Sequence, residues 1–312
     1  MLGALGLREG DASLRWRLQV MIGVDRKPHQ SDTQAYGVSP WIVTMNRIEL
    51  KRALEAATGA ARASGALMLK HWRSPKKVTL AVQHDIKLDL DVRSQKLIER
   101  RLRQAFPEVA LLGEEGVSGG KGAAYRWVVD PIDGTVNFAY QIPHACVSIA
   151  LQELCRPPSA GSPAPVYRSI LGVVYDPFCD ELWTAIRGQG ARLNGRPTRV
   201  SKRTKLVELV IALGFAKVNP GLESITPAIA KLAPRVRKIR LMGSAALDLV
   251  YVASGRMDAY LETGVKLWDI AAGGLILECA GGEFYHREIP GEGTFAIIAN
   301  NGLLRAKLMP YL

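Results

Sequence analysis

The chain has 312 residues, of which 48% are hydrophobic and 22% are charged, a composition typical of a globular protein with a large buried core. It contains no unbroken apolar stretch of about 18 residues, the length that a membrane-spanning helix requires, so we predict no membrane association. The net charge of +12 predicts a surface that attracts anions, either phosphorylated metabolites or nucleic acid.

The four cysteines, Cys146, Cys155, Cys179 and Cys279, are widely spaced and include no C-x-x-C pair. A disulfide framework needs a higher density of cysteines, and a zinc site needs closer spacing. The five histidines also lack metal-ligand spacing. We therefore predict free thiols and a cytoplasmic location.

The N-terminal segment shows no sustained hydrophobic periodicity, and its apolar beginning is interrupted by Arg8, Glu9 and Asp11. These charges argue against a signal peptide, so we predict a poorly ordered extension or sequence upstream of a start at Met45. An N-terminal α+β lobe with most metal ligands and a C-terminal α/β lobe that completes the active site are predicted to follow. The predicted extension spans residues 1–44, the N-terminal lobe residues 45–200 and the C-terminal lobe residues 201–312.

Two helices are predicted at the beginning of the folded part. Asn46, with Glu49 three residues later, has the spacing of a helix N-cap, and apolar residues recur from there at near-helical spacing up to Met68. The second helix is predicted from about Val92 to Phe106, where Pro107 stops it. Both helices present one apolar face for burial.

Strands dominate the middle of the chain, and helices and strands alternate after about residue 200. The predicted strands before that point are Ala110–Leu112, Arg126–Val129, Cys146–Leu151, Ile170–Tyr175 and Glu181–Ile186. A loop is predicted at Arg156–Pro165 and a tight turn at Asn194-Gly195. The later elements are a helix over Ser244–Ser254, a strand over Met257–Glu262 and a helix over Asp269–Ala280.

Three short segments place carboxylates where an element begins or ends, next to apolar residues. They are Gly113-Glu114-Glu115, Asp130-Pro131-Ile132-Asp133-Gly134-Thr135 and Trp268-Asp269-Ile270-Ala271. Clustered carboxylates in apolar surroundings repel one another, and a hard divalent cation such as Mg²⁺ removes that penalty. Taken singly, each acid also fits a structural role: a solvated turn, a strand end or a helix N-cap.

The middle segment combines two features that phosphate chemistry needs. An apolar strand delivers Asp130, Pro131 is predicted to force a turn, and Asp133 follows three residues later. Gly134 and Thr135 then offer backbone N–H groups at a helix start, where phosphate oxygens bind. A pair of metal-binding carboxylates beside a phosphate cradle is typical of phosphoester hydrolysis.

At these motifs the chain resembles the inositol monophosphatase family of lithium-sensitive, magnesium-dependent phosphatases. The resemblance covers roughly residues 45–312 and includes Gly281-Gly282 after the third motif. It implies an α/β (α+β) fold, a layered α/β/α/β/α sandwich, and a homodimer. It also implies two or three Mg²⁺ ions.

The resemblance implies a role for each motif residue. One Mg²⁺ would be held by Glu114, Asp130 and the Ile132 carbonyl, and a second by Asp130, Asp133 and Asp269. Glu114 would border a weaker third ion, and together with Asp91 and Thr135 it would orient the attacking water. Gly134 and Thr135 would take the phosphate. The residues implied for the rest of the substrate are Gly243, Ser244, Ala245 and Glu262.

The implied reaction is hydrolysis of inositol-1-phosphate or a similar small sugar or polyol phosphate. Fructose-1,6-bisphosphate, histidinol phosphate, NADP and adenosine bisphosphate are alternative substrates, because a motif does not rank substrates. The run Lys87-Leu88-Asp89-Leu90-Asp91 departs from the family's Val-Thr-x-x-Asp by its added charge. A basic nucleic-acid-associated protein is the alternative from another class.

Overall fold

The computed structural model describes six stretches of the chain, and all structural statements concern them. They are residues 45–82, 85–120, 122–156, 165–215, 221–289 and 293–309. The predictions for the extension at 1–44 and for the loop within Arg156–Pro165 therefore lie outside the described residues, apart from the two ends of that loop.

The described residues form seven helices and fifteen strands, with a short 3₁₀ turn at Leu206–Glu208. The helices are α1 (Arg47–His71), α2 (Asp89–Ala105), α3 (Thr135–Ala139), α4 (Gly221–Leu232), α5 (Ala245–Ala253), α6 (Leu267–Cys279) and α7 (Arg305–Leu308). The first ten strands are β1 (Val78–Val82), β2 (Asp85–Leu88), β3 (Ala110–Gly113), β4 (Gly116–Ser118), β5 (Tyr125–Asp133), β6 (Cys146–Arg156), β7 (Val166–Asp176), β8 (Glu181–Ile186), β9 (Arg192–Leu193) and β10 (Arg196–Pro197). The last five are β11 (Val210–Leu213), β12 (Lys238–Arg240), β13 (Ala259–Lys266), β14 (Glu283–Ile289) and β15 (Thr294–Asn300).

The predicted N-cap of α1 is confirmed by a complete capping box. The Asn46 side chain accepts from the N–H groups of Ile48 and Glu49, and the Glu49 carboxylate accepts from the Asn46 N–H. Helix α2 begins three residues earlier than predicted. The reason is that the Asp91 carboxylate accepts from the Leu88 N–H at 2.6 Å, so Asp91 caps the helix from its third position.

Eight strands form a sheet in the order β10-β9-β8-β7-β6-β5-β3-β4, in which only β3 and β5 pair in parallel. Its outer face is covered by α1 and α2, and alternate strand residues such as Trp127, Ile149 and Val173 are buried there. The intervening residues Val128, Ala150 and Val174 point to the opposite face, which packs against α5 and α6.

Five strands form a second sheet in the order β12-β11-β13-β15-β14. One face buries Ala212 and Tyr260 with α5 and α6, and the other buries Ile211 and Leu261 with α4 and α7. The pair α5 and α6 is therefore sandwiched between two sheets.

The predicted layered α/β/α/β/α sandwich is confirmed. It has three buried cores, because one core includes residues of both sheets around α5 and α6, and each of the other two lies between a sheet and its outer helices. The first sheet draws on residues 110–197 and the second on residues 210–300. The division into lobes at 45–200 and 201–312 stays a prediction. Among the described residues, no helix has the length and apolar character needed to cross a membrane.

The turn predicted at Asn194-Gly195 is confirmed, because both residues have positive φ, 48° and 76°, between the paired strands β9 and β10. The strand β5 is longer than predicted: it continues to Asp133 rather than ending in a turn at Pro131. This difference shapes the candidate site.

Candidate active site

A cavity of about 690 Å³ is lined by residues of all three acidic motifs. Eleven of the twelve residues predicted for the site line it; they are Glu114, Asp130, Ile132, Asp133, Gly134, Thr135, Gly243, Ser244, Ala245, Glu262 and Asp269. The twelfth, Asp91, is not a lining residue.

A bulge near the end of β5 places two aspartates on the same side of the sheet. Asp130 pairs with Ser148 and Asp133 pairs with Cys146, so three steps along β5 match two along β6. In a regular strand, residues three apart face opposite sides, whereas one extra residue brings them to the same side. Pro131 lies within the bulge, where its missing N–H costs no ladder bond.

The third aspartate comes from the beginning of α6. Asp269 occupies the third helical position, and its Oδ2 accepts from the Lys266 N–H at 2.7 Å. Asp269 therefore also caps its own helix, which is the structural role that its sequence position allowed. It does so from the third helical position and not as the N-cap residue. Oxygens of Asp130, Asp133 and Asp269 all lie within 4.8 Å of one another.

Asp133 is held in place by a different helix from the one that it precedes. Its Oδ2 accepts from the Ser244 hydroxyl at 2.6 Å and from the Ala246 N–H at 2.7 Å. It therefore satisfies the N-terminus of α5, more than 100 residues further along the chain. These contacts link the metal-ligand candidates to the predicted substrate-binding residues at the same helix start.

The backbone between Asp133 and α3 favours glycine at residue 134. Gly134 has φ 92°, and a Cβ built on it would lie 2.9 Å from the His144 carbonyl oxygen. The next residue, Thr135, donates its hydroxyl proton to the Ile132 carbonyl at 2.8 Å. The Asn137 amide donates to the His144 and Met242 carbonyls and so ties this turn to the segment before α5.

Glu114 and Glu115 form the tip between β3 and β4 at another edge of the site. The Gln95 side chain accepts from the Glu115 N–H at 2.8 Å and donates to the Gly116 carbonyl. The Lys87 ammonium lies 2.9 Å from a Glu115 oxygen and 3.7 Å from a Glu114 oxygen. Gln95 and the role of Lys87 were not predicted from the sequence, because they depend on contacts between residues 20 to 28 positions apart.

Asp91 lies behind this tip as a buried carboxyl, exposed by only 2%, whose Oδ1 has no hydrogen-bond partner. The pKa of Asp91 is raised to about 8, mainly by burial and also by the neighbouring Glu114 and Glu115, while the hydrogen bond from the Leu88 N–H and the charge of Lys87 oppose the rise. A carboxyl that keeps its proton near neutral pH is a poor water-orienting base in the metal-free protein. The role predicted for Asp91 stays a prediction.

The raised pKa of Asp91 predicts a pH dependence of stability in the metal-free protein. The folded carboxyl holds its proton up to about pH 8, whereas the unfolded one releases it near pH 3.8, so folding takes up a proton between these values. The free energy of unfolding should therefore fall as the pH rises from about 5 to 8, by up to about 1.4 kcal/mol per pH unit. Asp91→Asn should flatten this part of the profile.

The measurement for Asp91 is urea unfolding with a chelator at several pH values, compared between the unchanged chain and Asp91→Asn. Asn can still accept from the Leu88 N–H, so the helix cap is retained. Parallel pH profiles for the two proteins would contradict the assignment of the pKa.

The far wall of the cavity carries two more carboxyls, of which sequence analysis predicted only Glu262. Glu262 lies on β13 and accepts a hydrogen bond from the buried Tyr260 hydroxyl. Asp248, on α5, was missed although it stands in an otherwise apolar helix, and that contrast was its only signal. Burial raises the pKa of Asp248 well above its usual range, and the charges of Glu262 and Asp133 raise it further.

The donor set of the cavity fits a hard divalent cation. Six of the described lining residues carry a carboxyl group, and no described lining residue is Lys, Arg or His. Three carboxylates within 4.8 Å repel one another strongly unless a cation lies between them. Oxygen-only ligands are the set that Mg²⁺ prefers, so the residues present are suited to the metal implied by the motifs.

Comparisons with known proteins agree with the fold and the motifs. A model of the inositol monophosphatase family matches residues 49–309. A Xylella fastidiosa protein named Nus factor SuhB is 40% identical over 237 residues, which cover 74% of this chain and 81% of the relative. Inositol monophosphatase 1 of Solanum lycopersicum is 36% identical over 244 residues, which cover 76% and 85%.

A solved structure is similar over nearly the whole described chain. The inositol monophosphatase of Anabaena superposes with a TM-score of 0.70 and 32% identity, and the match covers 84% of this chain and 95% of that one. The family model, the relatives and the layered sandwich with its acidic cavity all lead to the same assignment. The chain belongs to the inositol monophosphatase family.

Proposed function

We propose that the chain is a Mg²⁺-dependent phosphomonoesterase that hydrolyses inositol-1-phosphate or a similar small polyol phosphate. The observation that carries the proposal is the convergence of Asp130, Asp133 and Asp269 within 4.8 Å in a cavity without a described basic lining residue. Such a cavity repels a phosphate ester unless bound cations reverse its charge.

The proposed metal ligands are Asp130, Asp133 and Asp269, with Glu114 and the Ile132 carbonyl at the cavity edge. Divalent cations bound there would neutralise the phosphate oxygens and lower the pKa of a water molecule. Two ions are the proposed number, and a third is not part of the proposal.

The chain's own residues would orient the phosphate and the water. The Thr135 hydroxyl proton is committed to the Ile132 carbonyl, so its oxygen is suited to accept a hydrogen bond from the attacking water. Glu114 is the proposed second acceptor for that water. The turn at Gly134 presents backbone N–H groups to the phosphate oxygens.

The walls of the cavity favour an uncharged polyol as the leaving part of the substrate. Glu262 accepts hydrogen bonds, as hydroxyl groups require, and Phe215 and Leu241 add apolar surface. A second phosphate would need a cation on this wall, and the described lining residues offer none. Substrates with a second phosphate group, namely fructose-1,6-bisphosphate, adenosine bisphosphate and NADP, therefore rank below polyol monophosphates in the proposal.

The test is phosphate release from a panel of esters: inositol-1-phosphate, fructose-1,6-bisphosphate, histidinol phosphate, NADP and adenosine bisphosphate. We expect release that requires Mg²⁺, disappears with a chelator, returns on Mg²⁺ addition and is inhibited by lithium. Inositol-1-phosphate should have the highest kcat/KM. A different preferred ester would overturn the substrate, and no Mg²⁺-dependent release from any ester would overturn the function.

The net charge of +12 favours a second candidate, association with nucleic acid. Exposed cations crowd the segment before α5, at Arg235, Arg237, Lys238 and Arg240. Salt-dependent RNA binding that survives Asp133→Asn would support this candidate, and its absence at moderate salt would contradict it. We also propose a homodimer, and a cytoplasmic location in keeping with the four free cysteines.

A further inference from the structure

Lys87 is a basic residue near the candidate metal site that the proposed reaction does not use. It lies on β2, four residues before Asp91, in the run where the chain departs from the family pattern. Its ammonium forms ion pairs with both carboxylates of the tip between β3 and β4. Those side chains are only 14% and 12% exposed, so the charges interact with limited screening by water.

The two ion pairs of Lys87 differ in distance and in surroundings. Glu115 lies closer, at 2.9 Å, and its backbone is fixed by Gln95, whereas Glu114 lies 3.7 Å away and lines the cavity. Glu115 does not line the cavity. The nearer carboxylate therefore anchors the ammonium, and the farther one stays directed to the cavity.

We propose that Lys87 is a positioning residue that sets the metal affinity of Glu114. Held by Glu115, its ammonium acts as a fixed counter-cation for the acidic edge formed by Glu114 and Glu115. A fixed positive charge close to a metal ligand repels a divalent cation and makes the site bind it more weakly. This inference rests on the proposed function, because it takes Glu114 as a metal ligand.

The proposal predicts opposite effects for the two members of the ion pair. Lys87→Met removes the repelling charge and should tighten divalent-cation binding by about three- to tenfold. Glu115→Gln leaves the ammonium with Glu114 as its carboxylate partner, so it should weaken binding by a similar factor. In the Lys87→Met background, Glu115→Gln should have a smaller effect, because only the loss of the Glu115 charge remains and no ammonium is left to move toward Glu114.

The experiment measures Mn²⁺ binding to the full-length chain by electron paramagnetic resonance, which reports the unbound ion. Lys87→Arg keeps the charge and should keep the affinity. Lys51→Met, at an exposed position on α1, is the matched control and should change nothing. Circular dichroism of each variant shows whether the fold is retained, and Lys87→Gln replaces Lys87→Met if that variant does not fold.

Weaker or unchanged Mn²⁺ binding in the folded Lys87→Met variant would overturn the inference, since a structural role for Lys87 alone cannot tighten the site. An equal effect of Glu115→Gln in both backgrounds would overturn it as well. If the unchanged chain binds no Mn²⁺ at all, the proposed function fails instead. The two failures are therefore distinguishable.

Discussion

Asp133→Asn should lower kcat by about 1000-fold or more while leaving the protein folded. The substitution removes one of the three converging charges that would hold the metal. The amide oxygen of Asn can still accept from the Ser244 hydroxyl and the Ala246 N–H, so the start of α5 keeps its partner. Because repulsion among the carboxylates falls, the metal-free variant should be at least as stable as the unchanged chain.

The measurement for Asp133→Asn is phosphate release from inositol-1-phosphate with Mg²⁺, beside thermal unfolding with a chelator. Asp180→Asn is the matched control, because that carboxylate is exposed and pairs with Arg62 away from the cavity. It should keep full activity. Turnover of the Asp133→Asn protein within tenfold of the unchanged chain would contradict the assignment of the site.

Gly134→Ala should reduce both activity and stability. At φ 92° an L-residue is strained, and the new Cβ would meet the His144 carbonyl oxygen at 2.9 Å, so the turn must shift. Strain of this kind costs about 1–3 kcal/mol of the free energy of unfolding. The shift would also displace Asp133 and Thr135, and a displacement of about 1 Å in an active site lowers the rate by about 100-fold.

Gly190→Ala is the control for the glycine prediction. Gly190 is exposed, and a Cβ there has no atom within 4 Å among the described residues. It should change neither kcat nor the urea midpoint measurably. Equal behaviour of the two alanine variants in urea unfolding and phosphate release would show that the turn at Gly134 does not position the site.

Local signals in the sequence predicted the features that depend on a few neighbouring residues. The capping box at Asn46 and Glu49 and the turn at Asn194-Gly195 are satisfied within about four residues, so the structure reproduces them. The acidic motifs also carried enough specificity to name eleven residues that line one cavity. Their roles in binding and catalysis remain proposals.

Predictions were wrong or incomplete for the turn at Pro131, the start of α2 and Asp248, each for a different physical reason. Pro131 was expected to force a turn, but pairing with β6 carries β5 on to Asp133 through a bulge. The start of α2 was placed three residues late, because a side chain inside the helix supplies the cap. Asp248 was not predicted as a site residue, because the apolar residues around it on α5 indicate a helix of the buried core.

The sequence by itself determined the family and the residue types of the candidate site, because short motifs carry the resemblance to the family, and that resemblance implied the layered fold. Only the tertiary structure decided how the motifs meet. Asp133 is held by α5, Lys87 is held by Glu115, and the cavity is lined by residues of both sheets. The physical reason is that hydrogen bonds, ion pairs and burial act between residues that are close in space, whatever their separation along the chain.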